Sequence, residues 1–350
     1  MDPPFSENPN PPRRIYEKLS HFHHYDLMRS VNRAGWCCSR HLETHQTHQA
    51  HRTLGRRRLH RSGHPRGAGE LEEALGQKIV VVNQPGASGS IGTKNTLDAP
   101  KNGYTWTSGA AKDLGTYQIL GMIDTNIRDW HLFLNISLPQ VVAVHADSDY
   151  KSFDDLLKAF KENPGKVKVS SAGINSAGHS GIETIKKYTG IDYKHITYDG
   201  GNPAVIAVVS GEADVVTQLS SEETDMLKAG KLRALAVLDD NPLDIMGYGS
   251  VPPITKWIPE FKGAPIYFGV FIPKGVPDDM VQTLGKAWDE VILKSERLKE
   301  YAAGRGAVFA PSWGEEAQKR AFPKIQEDAW LKWDSGQAKI QPDKVGIPKP

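Results

Sequence analysis

Four loops of small and polar residues carry the groups in this sequence that could do chemistry. They lie at residues 83–92, 108–113, 170–181 and 198–203, each between a predicted strand and a predicted helix. Glycine, serine and alanine leave backbone N–H groups and hydroxyls open to a ligand, and the helix that follows adds a positive dipole end. This chemistry suits an anion, most simply a carboxylate or a phosphate. One such loop is also consistent with a plain turn, whereas four favour the walls of a single anion site.

The elements around these loops alternate between strand and helix. Residues 79–82 and 140–144 are apolar and β-branched, as in buried parallel strands. Residues 153–161 and 280–294 are predicted helices. This alternation predicts parallel α/β sheets, with the ligand beyond the carboxyl ends of the strands.

The composition separates the chain into two parts. With 350 residues it is long enough for two domains, and no apolar stretch reaches the length of a membrane span. Residues 1–68 hold 12 Lys and Arg against 5 Asp and Glu, whereas the remainder holds 31 against 36. Both cysteines and nine of the 13 histidines also lie in residues 1–68. The rest of the chain therefore forms no disulfide.

Residues 1–68 have no helical or strand periodicity, and several interpretations stay open for them. A metal site could draw on a group of thiols and imidazoles: Cys37, Cys38, His41, His45, His48 and His51. Nothing beside them could build the core of a zinc finger. A basic arm for nucleic acid could draw on Arg56, Arg57, Arg58, Arg61 and Arg66, but aromatic stacking partners are missing. Plain disorder also fits the composition.

A fourth interpretation is that this segment is a GC-rich coding strand translated in the wrong frame. Synonymous codons allow Arg52–Gly67 to encode APWAAGGSTDQVTRVV in another frame, which joins directly onto Ala68. Upstream, Glu43–His51 permits KPIKPIKLI, and Val31–Cys38 permits LTALAGAA, an apolar run like that of a secretory signal. The gene's own codons at Leu54–Arg61 test this hypothesis.

From Gly69 onward the chain carries an ordered series of motifs. They are LEEALGQKIVVVNQPGASGSIG, DLLKAFKENPGKVKVSSAG, TYDGGNPAVIAVVSGEADV, LRALAVL and YFGVFIPKGVP. The series resembles the substrate-binding proteins of tripartite tricarboxylate transporters, also called Bug proteins. The first loop of that family has a pattern like P-W-A-A-G-G-S-T-D after a strand. This pattern is absent from the chain, and the other frame restores it.

The resemblance implies a two-lobed α/β fold like that of type II periplasmic binding proteins, joined by two crossing strands. The expected division is an irregular segment at 1–68, a first lobe at 69–141 and 270–350 that lacks its first strand, and a second lobe at 142–269. The crossing strands are expected near 140–145 and 267–272. Closure of the lobes would bury the ligand.

The resemblance also implies which residues bind the ligand. In the first lobe they are Gly86, Ala87, Ser88, Gly89 and Ala110. In the second lobe they are Ser170, Ser171, Gly173, Asn175, Ser176, Tyr198, Gly200, Gly201 and Asp214. Local roles stay open for several of these: the serines could cap a helix, Tyr198 could be a core residue, and Asp214 could brace the end of a strand. No arginine is placed to bind the ligand. We therefore expect the site to recognise a carboxylate group common to several ligands and to discriminate less strictly among the remaining parts of the ligand.

The function that follows is capture of a small carboxylate and its delivery to membrane permease subunits. We expect a periplasmic monomer for the intact gene product, although the chain shows no recognisable signal peptide. No cofactor, metal ion, catalytic residue or nucleic-acid partner is expected. A periplasmic sensor subunit is the alternative. An enzyme is disfavoured because GASGSIG has the wrong spacing for a dinucleotide fingerprint, and no G-x-S-x-G elbow surrounds Ser176.

Overall fold

The structure, a computed structural model, describes residues 42–46, 66–84, 87–174 and 176–350. Within these ranges the strands form two large sheets and a short hairpin. The first sheet contains β1 (Leu42–Gln46), β2 (Ile79–Asn83), β3 (Thr105–Ala110), β4 (Trp130–Ser137), β12 (Tyr267–Pro273) and β13 (Val308–Trp313). The second contains β5 (Gln140–His145), β6 (Lys168–Ser171), β7 (Lys194–Thr197), β8 (Val215–Leu219) and β9 (Leu232–Val237). The hairpin pairs β10 (Leu243–Ile245) with β11 (Gly249–Val251).

The helices flank these sheets. They are α1 (Arg66–Leu75), α2 (Ser90–Asp98), α3 (Ala111–Thr116), α4 (Phe153–Glu162), α5 (Ala177–Thr189), α6 (Gly201–Val209), α7 (Ser220–Lys228), α8 (Asp278–Glu290), α9 (Glu296–Gly304) and α10 (Gly314–Asp334). Local signals set their ends. Ser152 and Asp155 form a capping box at the start of α4, and Gly190 ends α5 in the left-handed conformation. The predicted helices at 153–161 and 280–294 correspond to α4 and α8.

The first sheet has the strand order β13-β4-β12-β3-β1-β2. Strand β1 runs parallel to β2 and to β3, and β12 runs antiparallel to β3 and to β4. The carboxyl ends of β1, β2 and β3 therefore lie at one edge of the sheet. This edge is where an α/β sheet binds its ligand.

The structure places a short strand and a helix start within the N-terminal segment that was expected to be irregular. Leu42–Gln46 forms β1 between β2 and β3, with Leu42 opposite Ile79 and Glu43 opposite Thr105. Strands β2 and β3 each pair with β1, so a strand between them supplies backbone hydrogen bonds to both. Such pairing uses main-chain groups that every residue except proline provides. Helix α1 likewise begins at Arg66, inside the segment predicted to be irregular.

The second sheet has the order β7-β6-β8-β5-β9, with β6 parallel to β7 and β8. The chain passes between the sheets twice, at residues 138–139 and just before β12. These crossings are adjacent, because the Leu138 N–H donates to the Ile266 carbonyl over 2.9 Å. The segments expected to cross, 140–145 and 267–272, lie within β5 and β12. We therefore propose lobe boundaries near residues 138 and 266.

A cluster of buried charges joins α3 to α10. Lys112 Nζ lies 2.8 Å from Asp113 Oδ1 and 3.4 Å from Asp328 Oδ2, and Lys324 Nζ lies 3.2 Å from Asp328 Oδ1. Lys112, Lys324 and Asp328 are each at most 3% exposed. Lys332, one turn further along α10, is also buried, and desolvation lowers its pKa to about 8. Asp328 is therefore the central anion among three buried lysines.

Two kinds of feature are absent from the described residues. No helix within these ranges combines the length and apolar character needed to cross a bilayer. No group of three or more His, Cys, Asp or Glu side chains in the same ranges is arranged to hold a metal ion. The cysteine and histidine side chains proposed as ligands at positions 37–51 lie outside the part of the chain whose side chains are described.

Candidate functional site

The carboxyl ends of strands in both sheets lead into helices at the same part of the molecule. Helices α2 and α3 follow β2 and β3 in the first lobe, and α5, α6 and α7 follow β6, β7 and β8 in the second. One buried apolar cluster contains residues from both lobes: Ala110 and Phe268 from the first, and Leu219 with the adjoining Ala177 from the second. Ala110 and Leu219 each end a strand, so the two ligand-binding edges meet there.

The loop after β2 has an unusual backbone. Ala87, Ser88 and Gly89 have φ values of 44°, 52° and 85°, in the left-handed region. For a residue with a Cβ this conformation costs about 1–2 kcal/mol. The Tyr117 hydroxyl donates to the Ser88 carbonyl over 2.9 Å and so holds the loop against α3. Gly89 precedes α2 and has no side chain to cap it, which leaves the helix N–H groups directed at this loop. Gly86 lies outside the described residues.

Ala110 has an apolar role in this structure. It ends β3, is 8% exposed and packs in the cluster shared by the two lobes. Its side chain cannot donate a hydrogen bond. Ala110 therefore contributes apolar packing between the two lobes.

Neighbouring serines at the end of β6 have different partners. The Ser170 hydroxyl donates to the carbonyls of Ala204 (2.9 Å) and Val215 (3.2 Å), which ties β6 to α6 and β8. Ser171 Oγ lies 2.7 Å from His195 Nε2. Both serines are fully buried. Their hydroxyls therefore brace the sheet in this structure.

Helix α5 begins with a serine cap. Ser176 Oγ accepts from the His179 N–H over 3.1 Å, so the capping alternative describes this side chain. Gly173 has a φ of 107°, which glycine adopts without strain. The His179 ring stacks on His195 with 4.4 Å between centroids. Burial first, and then the His179 charge, lowers the pKa of His195 to about 4. Asn175 lies outside the described residues.

The loop after β7 leads into α6. Tyr198 packs against the apolar face that α6 presents to the sheet, as the core alternative has it. Gly200 caps α6 with a φ of 119°. Gly201 is the first residue of the helix, and a methyl group added there would overlap the carboxyl group of Glu222. Both glycines are therefore required by local geometry.

Asp214 does not lie beside the ligand-binding edge. It precedes β8, and its Oδ2 accepts from the Lys168 N–H over 2.8 Å while its own N–H donates to the Lys168 carbonyl. Because Lys168 begins β6 and Ser171 ends it, Asp214 occupies the opposite end of the sheet. The structure corrects the expected contact with ligand and gives Asp214 the bracing role.

Three polar residues at the end of β8 and the start of α7 were not among the predicted site residues. In the orientation that satisfies both of its amide atoms, Gln218 accepts from the Ala172 N–H (2.6 Å) and donates to Glu222 Oε2 (3.2 Å). Glu223 Oε1 accepts from the Gln218 N–H over 3.1 Å. Burial raises the pKa of Glu222 to about 7, and burial with the Glu222 charge raises the pKa of Glu223 well above its ordinary value. The run QLSSEE directly after a buried strand was the available signal.

Close packing of α5 on β8 gives a testable prediction. A methyl group on Gly178 would overlap the Thr217 carbonyl, which belongs to a strand paired on both sides. We expect Gly178→Ala to lower the free energy of unfolding by about 1–3 kcal/mol, because α5 must shift. Chemical denaturation measures this change. The matched control is Gly304→Ala, whose new methyl group would lie 3.5 Å from Met246 Cε. Equal unfolding free energies for both variants would contradict the prediction.

The sequence is similar to that of a known protein family and of several of its members. Residues 66–318 match the family described as "Tripartite tricarboxylate transporter family receptor". A relative from Pseudomonas sp. (strain P51), the UPF0065 protein in the tcbD-tcbE intergenic region, is 30% identical over 265 residues, which are 71% of this chain and 77% of the relative. Protein BugT of Bordetella pertussis is 27% identical over 265 residues, or 74% of this chain and 79% of BugT.

A solved structure shows the same fold. MatC from Rhodopseudomonas palustris, determined with bound malate, aligns with a TM-score of 0.66 and 18% identity over 83% of this chain and 97% of MatC. The predicted two-lobed fold of the periplasmic binding protein type is thereby confirmed. The resemblance inferred from the ordered motifs is confirmed by the family match, which spans well over half of the chain. This chain belongs to the tripartite tricarboxylate transporter receptor family.

Proposed function

We propose that this chain is an extracytoplasmic solute-binding protein that captures a small carboxylate and delivers it to the permease subunits of a tripartite tricarboxylate transporter. The family match supports the periplasmic binding role and the transporter as partner. The malate bound to MatC supports a carboxylate as the ligand class. No catalytic step is part of the proposal.

One observation on the chain itself carries this proposal. The strand ends Ala110 and Leu219, one from each lobe, meet in a single buried cluster, and α3 and α7 begin directly after them. The ligand-binding edges of the two lobes therefore converge on one region, and the start of α2 in the first lobe favours a negative charge there. In the first lobe, the strained loop at Ala87 and Ser88 adds backbone groups beside the start of α2.

The binding step is tested by thermal denaturation of the purified chain with a panel of carboxylates. The panel holds monocarboxylates, dicarboxylates such as malate, citrate-like acids, acidic amino acids and aromatic acids, each with the corresponding amide or alcohol as the uncharged control. A ligand at about 100 times its Kd adds roughly 2.7 kcal/mol to the native state, which raises Tm by several degrees. We expect at least one acid, and not its uncharged control, to do so. A panel without effect, or conversion of the stabilising acid to a product, would contradict the proposal.

The delivery step needs a separate experiment. Uptake of the stabilising acid is measured in cells that express the permease subunits with and without this chain. We expect uptake to depend on the chain. Signalling through a membrane kinase without any uptake would instead support a sensor subunit.

A further inference from the structure

Glu222 lies in the wall that the second lobe presents to the ligand-binding edge. It is the third residue of α7, which begins where β8 ends. Its carboxyl group contacts Gly201, the first residue of α6, so closely that no Cβ would fit there. Glu222 is half-buried, so part of the residue lies at the surface of this wall. The start of α6, where an anionic ligand group would bind most readily, is therefore covered by an acid of the protein itself.

Other donors in this wall also have acceptors from the chain. The Ala172 N–H at the end of β6 donates to the Gln218 side-chain oxygen. The Gln218 N–H donates to Glu223 Oε1. The Leu219 N–H donates to the Glu222 carboxyl group. A ligand carboxylate that approached this wall would have to displace these internal acceptors.

The second glutamate lies out of reach of a ligand. Glu223 is fully buried, and its Oε2 has no hydrogen-bond partner among the described residues. No cationic side chain within the described ranges lies close enough to Glu222 or Glu223 to offset its charge. Glu222 is therefore an acid of this wall that has no cationic partner among the described residues.

We propose that Glu222 selects a ligand whose end facing the second lobe is an ammonium group, so that the preferred ligand is a small carboxylate with an amine at its far end. This inference rests on the proposed function, because the first lobe must hold the ligand's carboxylate. The ammonium donates to Glu222 and supplies the missing positive charge. An ammonium favours the ionised form of Glu222, whereas a second carboxylate at the same place could bind only while Glu222 is protonated, so the preference for the amine should be measured above about pH 8, where the free carboxyl is ionised.

A purely structural role for Glu222 makes a different prediction. If the side chain only covers the starts of α6 and α7, its neutral analogue would change Tm and leave the relative affinities of ligands unaltered. Because the fold already favours the uncharged form of this carboxyl, Glu222→Gln should stay folded. The ratio of the Kd values for different ligands therefore distinguishes the two roles, because a purely structural role would leave this ratio unchanged.

The experiment compares three acids with the same five-carbon chain: δ-aminovalerate, glutarate and valerate. Their Kd values are measured by calorimetry for the full chain, for Glu222→Gln, and for Glu162→Gln, which alters an exposed glutamate on α4 in the same lobe. We expect the full chain to bind δ-aminovalerate at least about tenfold more tightly than glutarate. A tenfold ratio of Kd values corresponds to a difference in binding free energy of roughly 1.4 kcal/mol. Glu222→Gln should reduce this ratio about tenfold, and Glu162→Gln should preserve it.

The outcomes separate this inference from the function on which it rests. Binding of glutarate or valerate with no preference for the amine, or a preference that Glu222→Gln leaves intact, overturns the inference and leaves carboxylate binding standing. No binding of any of the three acids, together with an inactive carboxylate panel, overturns the proposed function as well. A Tm change in Glu222→Gln without a change in the ratio assigns Glu222 a structural role and also overturns the inference.

Discussion

Replacing Asp328 by asparagine is expected to lower the free energy of unfolding by about 3–5 kcal/mol, the largest effect of any single change considered. Asp328 is fully buried and lies within 3.4 Å of both Lys112 and Lys324. An amide of the same shape removes the charge that both lysines share and leaves Lys112 with Asp113 alone and Lys324 with Glu327 alone as carboxylate partners. Chemical denaturation at neutral pH measures the change.

The matched control is an exposed ion pair of similar length. Lys94 Nζ and Asp98 Oδ2 lie 2.8 Å apart on α2, with both side chains about 60% exposed. Exposed pairs contribute about 0–1 kcal/mol, so Asp98→Asn should change stability little. If both variants lose the same amount of stability, the buried cluster does not stabilise the fold.

Acid provides a second test of the same cluster. Burial alone would raise the pKa of Asp328, but Lys324 and Lys112 more than offset this, and the pKa lies below its ordinary value. A carboxyl whose pKa is lowered by folding contributes stability above its unfolded pKa and loses it as the pH falls through the folded pKa. The stability gap between the full chain and Asp328→Asn should therefore narrow below about pH 4. A gap that is constant down to pH 2 would contradict the sign of this shift.

The second large effect is expected at residues 43–67. Strand β1 stands between β2 and β3, and residues 47–65 run from its carboxyl end to α1. In the alternative frame this connection carries P-W-A-A-G-G-S-T-D, a loop of small residues and hydroxyls. We expect a chain in which KPIKPIKLI and APWAAGGSTDQVTRVV replace residues 43–67 to bind its carboxylate at least about tenfold more tightly. One added hydrogen bond to a charged group is worth roughly 1.5–3 kcal/mol.

The same replacement should also stabilise the first lobe. The replaced chain has prolines at positions 44 and 47, which cannot donate in a central strand, so its strand is expected at the apolar run IKLI, positions 48–51. Isoleucine and leucine there add apolar burial, so the free energy of unfolding should rise by about 2 kcal/mol or more. A third chain separates the two effects: it keeps the new strand and has alanines in place of Gly-Gly-Ser-Thr-Asp. This third chain should show the increased free energy of unfolding but not the tighter binding of the carboxylate. Equal Tm and Kd for the present chain and the replaced chain would refute the idea that this segment is out of frame.

Local patterns predicted much of this fold. The apolar runs at 79–82 and 140–144 became β2 and β5, because a buried strand depends mainly on its own side chains. Strand β1 was missed because LETHQ has no strand pattern. Its place is set by the backbone of β2 and β3, which are distant in sequence. Pairing between segments that are distant in the sequence cannot be detected from the residue pattern of one short stretch.

The site was less predictable than the loops that contain it. Asp214 precedes β8, and the direction of a parallel strand already places such a residue far from the ligand-binding edge, so that correction was available from the sequence. The proposed role of Glu222 could not be predicted from strand direction. Its role depends on a contact with Gly201, 21 residues earlier, which only the packing of α6 beside α7 creates.

The strand order of the first sheet also constrains how the chain folds during synthesis. Strand β12 lies between β3 and β4, yet it is made only after every strand of the second sheet. The second lobe is continuous and can form as soon as it emerges. Until β12 arrives, β3 and β4 each have an unpaired edge, which is a template for aggregation. Among the described residues, the first lobe therefore keeps its strand edges open to aggregation for longer than the second lobe does.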